Sequence, residues 1–147
     1  MTIKTIQKKD FDVWVAMGLL LWPHHSKKDT EEEFKGILKS KNEEAFLCKD
    51  DEGNAVGFMN VSVRYEYVSG AHSSPVGYIE GIFIQEQHRR KGYAKKLIHV
   101  AEAWAKRKGC KEIGSDAYVE NTVSQAFHTK VGFRQYRVLV HFMKKLK

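Results

Sequence analysis

Between Tyr78 and Ile98 the chain reads YIEGIFIQEQHRRKGYAKKLI, with one carboxylate, Glu80, in an apolar strand-like run and Arg89, Arg90, Lys91 and Gly92 just where a helix begins. A carboxylate in such a setting can hold a cation or accept a proton. A basic loop feeding a helix can hold an anion, because the first N–H groups of the helix lack intrahelical partners and its dipole adds positive potential there. Gly92 allows close backbone approach to that anion. The loop is neither a Gly-x-x-x-x-Gly-Lys-Ser/Thr triphosphate loop nor a Gly-x-Gly-x-x-Gly dinucleotide turn. A second carboxylate, Asp116, falls near the carboxyl end of the next strand-like segment, where ligands of open α/β sheets bind. Glu66 and Glu120 add to the local negative field. The bland reading of Glu80 and Asp116 is that they pair with nearby Lys or Arg.

The elements that must position these groups follow from periodicity and turn chemistry. Residues 2–6 predict a short strand, and Asp10–Trp22 a helix halted by Pro23, whose ring disfavours helical geometry in the residue before it. Thr30-Glu31-Glu32-Glu33 has the capping-box pattern and predicts a helix near 31–40. Ala45–Lys49 and Ala55–Tyr67 predict two antiparallel strands joined by the turn-rich DDEGN. After the polar loop Ser69–Pro75, Tyr78–Ile84 reads as a strand. Gly92–Lys108 reads as a helix, with Ala94, Leu97, Ile98, Ala101 and Ala105 as its apolar stripe and Gly109 as its stop. Lys111–Ala117 closes a β-α-β unit, whose right-handed crossover makes its two strands parallel. A helix near 121–131, ended by Gly132, and a final strand near 134–144 complete an α/β arrangement.

A chain of 147 residues fits one domain, residues 1–147, able to bury a core without disulfides or metal. No apolar run approaches the roughly 20 residues that span a bilayer, and the N-terminal residues lack a signal-peptide h-region. The expectation is a soluble cytoplasmic protein that does not engage membranes. Cys48 and Cys110 are then reduced thiols. Without a Cys-x-x-Cys, a His-Glu-x-x-His or another ligand spacing, no metal is expected. The formal net charge of +7 suits nucleic acid, an anionic cofactor or simple solubility equally. Position is more telling: Lys106, Arg107 and Lys108 suit a helix C-terminus, and Lys144, Lys145 and Lys147 suit a solvated end.

The run IFIQEQHRRKGYA resembles the acetyl-CoA-binding signature of the GCN5-related N-acetyltransferases, (Arg/Gln)-x-x-Gly-x-(Gly/Ala), with Arg89, Gly92 and Ala94 at its fixed positions. Asn121-Thr122-Val123-Ser124 and then Gly132-Phe133 match the Asn that opens, and the Gly-Phe that closes, the family's next helix. Within that family, LWP (21–23), SSPV (73–76), EGIF (80–83), KGCKEIGSD (108–116) and ENTVSQAFH (120–128) are similar to blocks of the aminoglycoside 6'-N-acetyltransferases. The resemblance implies a single-domain α/β acetyltransferase fold, a mixed, mostly antiparallel sheet with a central parallel β-α-β unit. It implies acetyl transfer from acetyl-CoA to the 6'-amine of an aminoglycoside in a ternary complex, by a protein that is often a homodimer.

Carried onto this chain, the resemblance implies that Ile82, Phe83, Ile84, Arg89, Arg90, Lys91, Gly92, Tyr93, Ala94, Asn121 and Ser124 bind the cofactor. Trp22, Tyr67, Glu80 and Asp116 would line the aminoglycoside cleft. Asp116 is the first choice of base, with Glu80 as the other, and strand-end donors near Phe83 and Ile84 would stabilise the oxyanion. His128 stands where many members carry a Tyr, and would be the general acid. One departure is the basic Arg134-Gln135-Tyr136-Arg137, where relatives often carry acidic residues. Cys110 has no adjacent histidine to activate it as a nucleophile. Two other functions compete: an acetyltransferase acting on a protein N-terminus, lysine or polyamine, and a noncatalytic nucleic-acid-binding module. Against the second stands the lack of zinc-finger and RNP-type motifs, so no specific nucleic acid is expected.

Overall fold

Strand alternation sets two apolar faces, and the helices divide between them. The computed structural model describes residues 1–147 and contains the strands β1 (Thr2–Thr5), β2 (Glu43–Lys49), β3 (Ala55–Arg64), β4 (Val76–Ile84) and β5 (Ile113–Ser115). The helices are α1 (Phe11–Leu21), α2 (Lys27–Lys39), α3 (Tyr93–Arg107) and α4 (Thr122–Lys130). The sheet runs β1-β2-β3-β4-β5, antiparallel except for the parallel pair β4-β5. In β2, Phe46 and Cys48 join Leu97, Ile98, Ala101 and Trp104 of α3 in one core cluster, and Ala45 and Leu47 join Trp14 of α1 and Phe34 of α2 in the other. Period-two alternation sends neighbouring side chains to opposite faces, and with both faces covered, β3 is buried from Val56 to Val63.

Close contacts fix how the layers meet. A Cβ added to Gly77 would lie 2.8 Å from the Ala105 Cβ, so glycine lets α3 settle onto β4. On the other face the fully buried Trp14 stacks on Phe34 with centroids 4.2 Å apart, and its indole N–H donates to Asn60 Oδ1 at 3.0 Å. That bond satisfies two polar groups which would otherwise be stranded in the core.

Four predicted elements differ: β3 stops at Arg64 instead of Tyr67, β5 spans only Ile113–Ser115 of the expected Lys111–Ala117, and a helix start and the last strand also change. α2 begins at Lys27, because Ser26 is its cap and accepts from the Asp29 N–H at 3.0 Å. Thr30, predicted as that cap, is instead a buried residue one turn inside, its methyl directed at Gly18 of α1 and its hydroxyl without a partner. The strand expected near 134–144 does not form within the chain. Residues 134–147 make no backbone hydrogen bond and lie outside the sheet. The parallel pair therefore lies at the open side of the sheet.

Candidate active site

The site begins where β4 and β5 part. Their last paired residues are Ile79 and Ser115, and beyond them the outer edge of β4 faces no strand. Glu80 sits at this fork as the extra residue of a bulge, since Asn60 pairs with Gly81 and Val61 with Ile79. The Gln85 N–H bonds back to the Val56 carbonyl. Only alternate residues of an antiparallel strand turn their amides to the same neighbour. The N–H groups of Ile82 and Ile84 consequently point away from β3, into the fork. Phe83, expected as a donor, has its backbone turned to β3 and its side chain in the core beside Phe58.

Past β4 the basic loop forms a nest. Arg90 adopts φ 63° and Gly92 φ 86°, and the first helical bond runs from the Lys96 N–H to the Gly92 carbonyl. The N–H groups of Tyr93, Ala94 and Lys95 are left to point out of the helix end, as a phosphate requires. No atom lies within 4 Å of a Cβ built on Gly92, so the space in front is open. Arg90 and Lys91 are exposed beside it. Arg89 turns the other way. Its Nε donates to the Ile84 carbonyl at 2.8 Å and ties the loop to the end of β4.

On the α1/α2 face the acidic residues meet unequal company. Glu80 accepts from Arg64 Nε at 3.0 Å and Nη2 at 2.7 Å, and from the Ser62 hydroxyl. The Arg64 guanidinium also lies 3.4 Å from the Tyr78 ring centroid. For Glu80, pairing with a neighbouring Arg is thus what occurs. Asp116 is exposed and accepts a single hydrogen bond, from the Tyr78 hydroxyl at 2.7 Å. Burial foremost, then the Asp116 bond and charge, pushes the Tyr78 phenol far above its ordinary range, so it stays a donor. The Trp22 ring covers Gly81, where a Cβ would collide with it, and Trp22 lies tilted against Phe58. Tyr67, 79% exposed, stands on the segment after β3. Sequence reasoning missed Ser62, Arg64 and Tyr78. Asn60, Ser62 and Arg64, alternating in an otherwise apolar strand, were the available signal.

On the α3/α4 face, His128 of α4 meets Ser115 of β5. The His128 Nδ1 lies 2.7 Å from the Ser124 carbonyl, which can only accept, so Nδ1 carries the proton. In the neutral ring Nε2, 2.8 Å from Ser115 Oγ, then accepts from that hydroxyl. Asn121 caps α4 by accepting from the Ser124 N–H at 3.1 Å, and Ser124 is engaged with His128, so the carbonyl oxygen of Asn121 and the backbone of Ser124 serve the helix itself. Ser115 is a further residue that sequence reasoning missed. Both thiols, Cys48 and Cys110, are buried and pushed upward by burial, which suits packing residues and not nucleophiles. No group of three His, Cys, Asp or Glu is placed to hold a metal ion, and no helix is long and apolar enough to cross a membrane.

A mixed sheet thus forks beside a helix N-terminus whose amides are free to hold an anion, with a carboxylate on the opposite face. Residues 6–133 match the Acetyltransferase (GNAT) family, and the chain belongs to it. It is 39% identical over 137 residues to an aminoglycoside N(6')-acetyltransferase type 1 of Serratia marcescens, covering 93% of this chain and 94% of the relative. To the protein of that name in Acinetobacter baumannii it is 35% identical, over 99% of both chains. Among solved structures, AAC(6')-Iy in complex with the bisubstrate analogue CoA-S-monomethyl-acetylneamine superposes with a TM-score of 0.93 at 34% identity, covering 99% of this chain and 98% of that one. The apo 6'-N-acetyltransferase AAC(6')-IG of Acinetobacter haemolyticus gives 0.93 at 36% identity, with both chains fully covered.

Proposed function

We propose that this chain transfers the acetyl group of acetyl-CoA to the 6'-amine of aminoglycoside antibiotics and so confers resistance. The observation that carries the reading is the fork itself, with an amide-lined anion site on its α3 side and Asp116 and Glu80 on the other. Near-full-length similarity to aminoglycoside 6'-N-acetyltransferases supports it. When bound, acetyl-CoA supplies an activated acyl group, and the chain's own residues hold and orient it. The amides of Tyr93, Ala94 and Lys95 would receive the pyrophosphate, with Arg90 and Lys91 adding positive charge. The amides of Ile82 and Ile84 line the fork as donors for the pantetheine arm and the developing oxyanion.

The acceptor carries several ammonium groups and the protein a net +7. Long-range repulsion is screened beyond roughly 8 Å at physiological salt, whereas a carboxylate at contact acts unscreened, so local charge decides. Asp116 is the base that takes a proton from the substrate ammonium, Tyr78 orients it, and Glu80 with Arg64 shapes the wall of the cleft. Trp22 and Tyr67 offer aromatic faces to a sugar ring. A cytoplasmic location and a homodimer belong to the same reading. Tyr136, Val138, Leu139, Val140, Phe142 and Met143 are all exposed along the unpaired C-terminal arm, and β5 has an open edge, so two copies can satisfy each other's backbone.

A thiol-release assay with acetyl-CoA across an aminoglycoside panel, a polyamine and a basic peptide tests the reading. Turnover is expected with aminoglycosides bearing a 6'-amine and not with analogues bearing a 6'-hydroxyl. Turnover confined to the polyamine or peptide would replace the substrate class.

A further inference from the structure

We propose that Ser115 and His128 form a proton relay at the fork, one that carries a proton from the attacking amine to the departing sulfur. The inference rests on the acetyl-transfer reading above. Forming the C–N bond and breaking the C–S bond obliges an ammonium acceptor to shed two protons, while the sulfur must gain one. Asp116 accounts for the first. Ser115 and Asp116 are adjacent at the strand end, so their side chains leave on opposite faces of the sheet. Ser115 pairs with Ile79 as the last rung before the strands part, and its side chain is on the side of α4. The sheet therefore presents one proton acceptor to each side of the fork.

The hydrogen bonds also decide which atom of the pair is left to exchange a proton. Nδ1–H of His128 is committed to the Ser124 carbonyl, and Nε2 is an acceptor filled by the Ser115 hydroxyl at 2.8 Å. Neutral His128 has no free N–H to offer, so it is not a direct acid. Ser115 Oγ is the exchanging atom. As Oγ takes the second proton from the amine nitrogen, its own proton passes to Nε2 and leaves an imidazolium stabilised by the Ser124 carbonyl. As the C–S bond breaks and sulfur keeps the electron pair, Oγ delivers a proton to sulfur and recovers one from Nε2. One proton moves from nitrogen to sulfur, and Ser115 and His128 return to their starting states. Phe127 and Phe133, with ring centroids 5.9 and 5.3 Å from that of His128, hold the imidazole in place. In this scheme His128 is a positioning residue acting through Ser115.

The test combines a spectroscopic and a kinetic readout. Nitrogen-15 NMR of the free protein, with His128→Gln to assign the signal, should find Nδ1 protonated and Nε2 bare, and Ser115→Ala should shift Nε2. In the thiol-release assay Ser115→Ala should lower kcat by about a hundredfold, with KM and calorimetric Kd for acetyl-CoA within about twofold of wild type. Ser115→Thr, which keeps the hydroxyl, should recover most of the loss, and His128→Gln should resemble Ser115→Ala. A proton on Nε2 in the free protein, or wild-type kcat in folded Ser115→Ala, overturns the relay. If the unsubstituted chain released no thiol with any acceptor, the acetyl-transfer reading would fall first, and the relay with it.

Discussion

Asp116 and Glu80 bear the same charge and meet different partners. Glu80 has its oxygens committed to Arg64 and Ser62, whereas Asp116 is exposed and holds one bond from Tyr78. Asp116→Asn keeps the size and removes the basicity, so kcat should fall by roughly 10²–10⁴. Raising the pH should recover part of the rate by delivering more neutral amine. Glu80→Gln weakens the anchor of Arg64 and should chiefly raise KM for the aminoglycoside, with acetyl-CoA binding unchanged in both variants. Steady-state kinetics over pH would check this, and unchanged kinetics in both would remove the acidic cleft. Tyr78 makes a separate prediction about stability. Its folded phenol titrates far above the ordinary value of about 10 because of burial and then Asp116. The unfolded chain loses this proton first, so the stability is fully present below about pH 10 and is lost as pH rises toward the folded pKa. Chemical denaturation at alkaline pH should show a shallower decline in Tyr78→Phe than in wild type.

At the scale of elements, the N-termini of α2 and α3 do different work. Ser26→Ala removes the cap of α2 and should cost about 1 kcal/mol. Thr30→Val removes a buried hydroxyl that has no partner, and should be neutral or stabilising by up to about 1–3 kcal/mol. Thermal and denaturant unfolding would separate them, and the opposite order would restore Thr30 as the cap. Gly92→Val at the start of α3 places a branched side chain in open space at φ 86°. The strain is of order 1–3 kcal/mol, and the added group fills the cradle. Acetyl-CoA affinity should drop more than about tenfold, equivalent to 1.4 kcal/mol, in a variant that still folds. Calorimetric titration measures it, and an unchanged Kd would rule out the phosphate cradle.

For the molecule as a whole, residues 134–147 are the unfinished part. Val140, Phe142 and Met143 are 75%, 87% and 98% exposed, and the homodimer proposed above would cover them. Sedimentation should find twice the chain mass for the whole protein and a single chain mass once residues 134–147 are deleted. A monomeric full-length protein would remove the strand-exchange reading. The arm also marks the limit of local pattern. Its apolar pattern reads as a strand, yet a strand exists only where it pairs with a neighbouring edge, and within the chain these residues pair with none.

The order of elements up to α4, the parallel β-α-β unit and the basic loop that runs into the N-terminus of α3 were legible in the sequence alone, because periodicity, helix stops and glycine placement are local properties of the chain. Ser26 in place of Thr30 as a cap was decided by packing, since only the approach of α1 shows that Thr30 lies inside the helix. The partners of the site were decided the same way. That Arg64 clamps Glu80, that Tyr78 serves Asp116 and that His128 turns its bare nitrogen to Ser115 all depend on strand register and on which face each side chain leaves. Those contacts join residues 13 to 38 positions apart in the chain. No local pattern encodes such distances, and folding brings the groups together because β4 and β5 pair for three residues and then part.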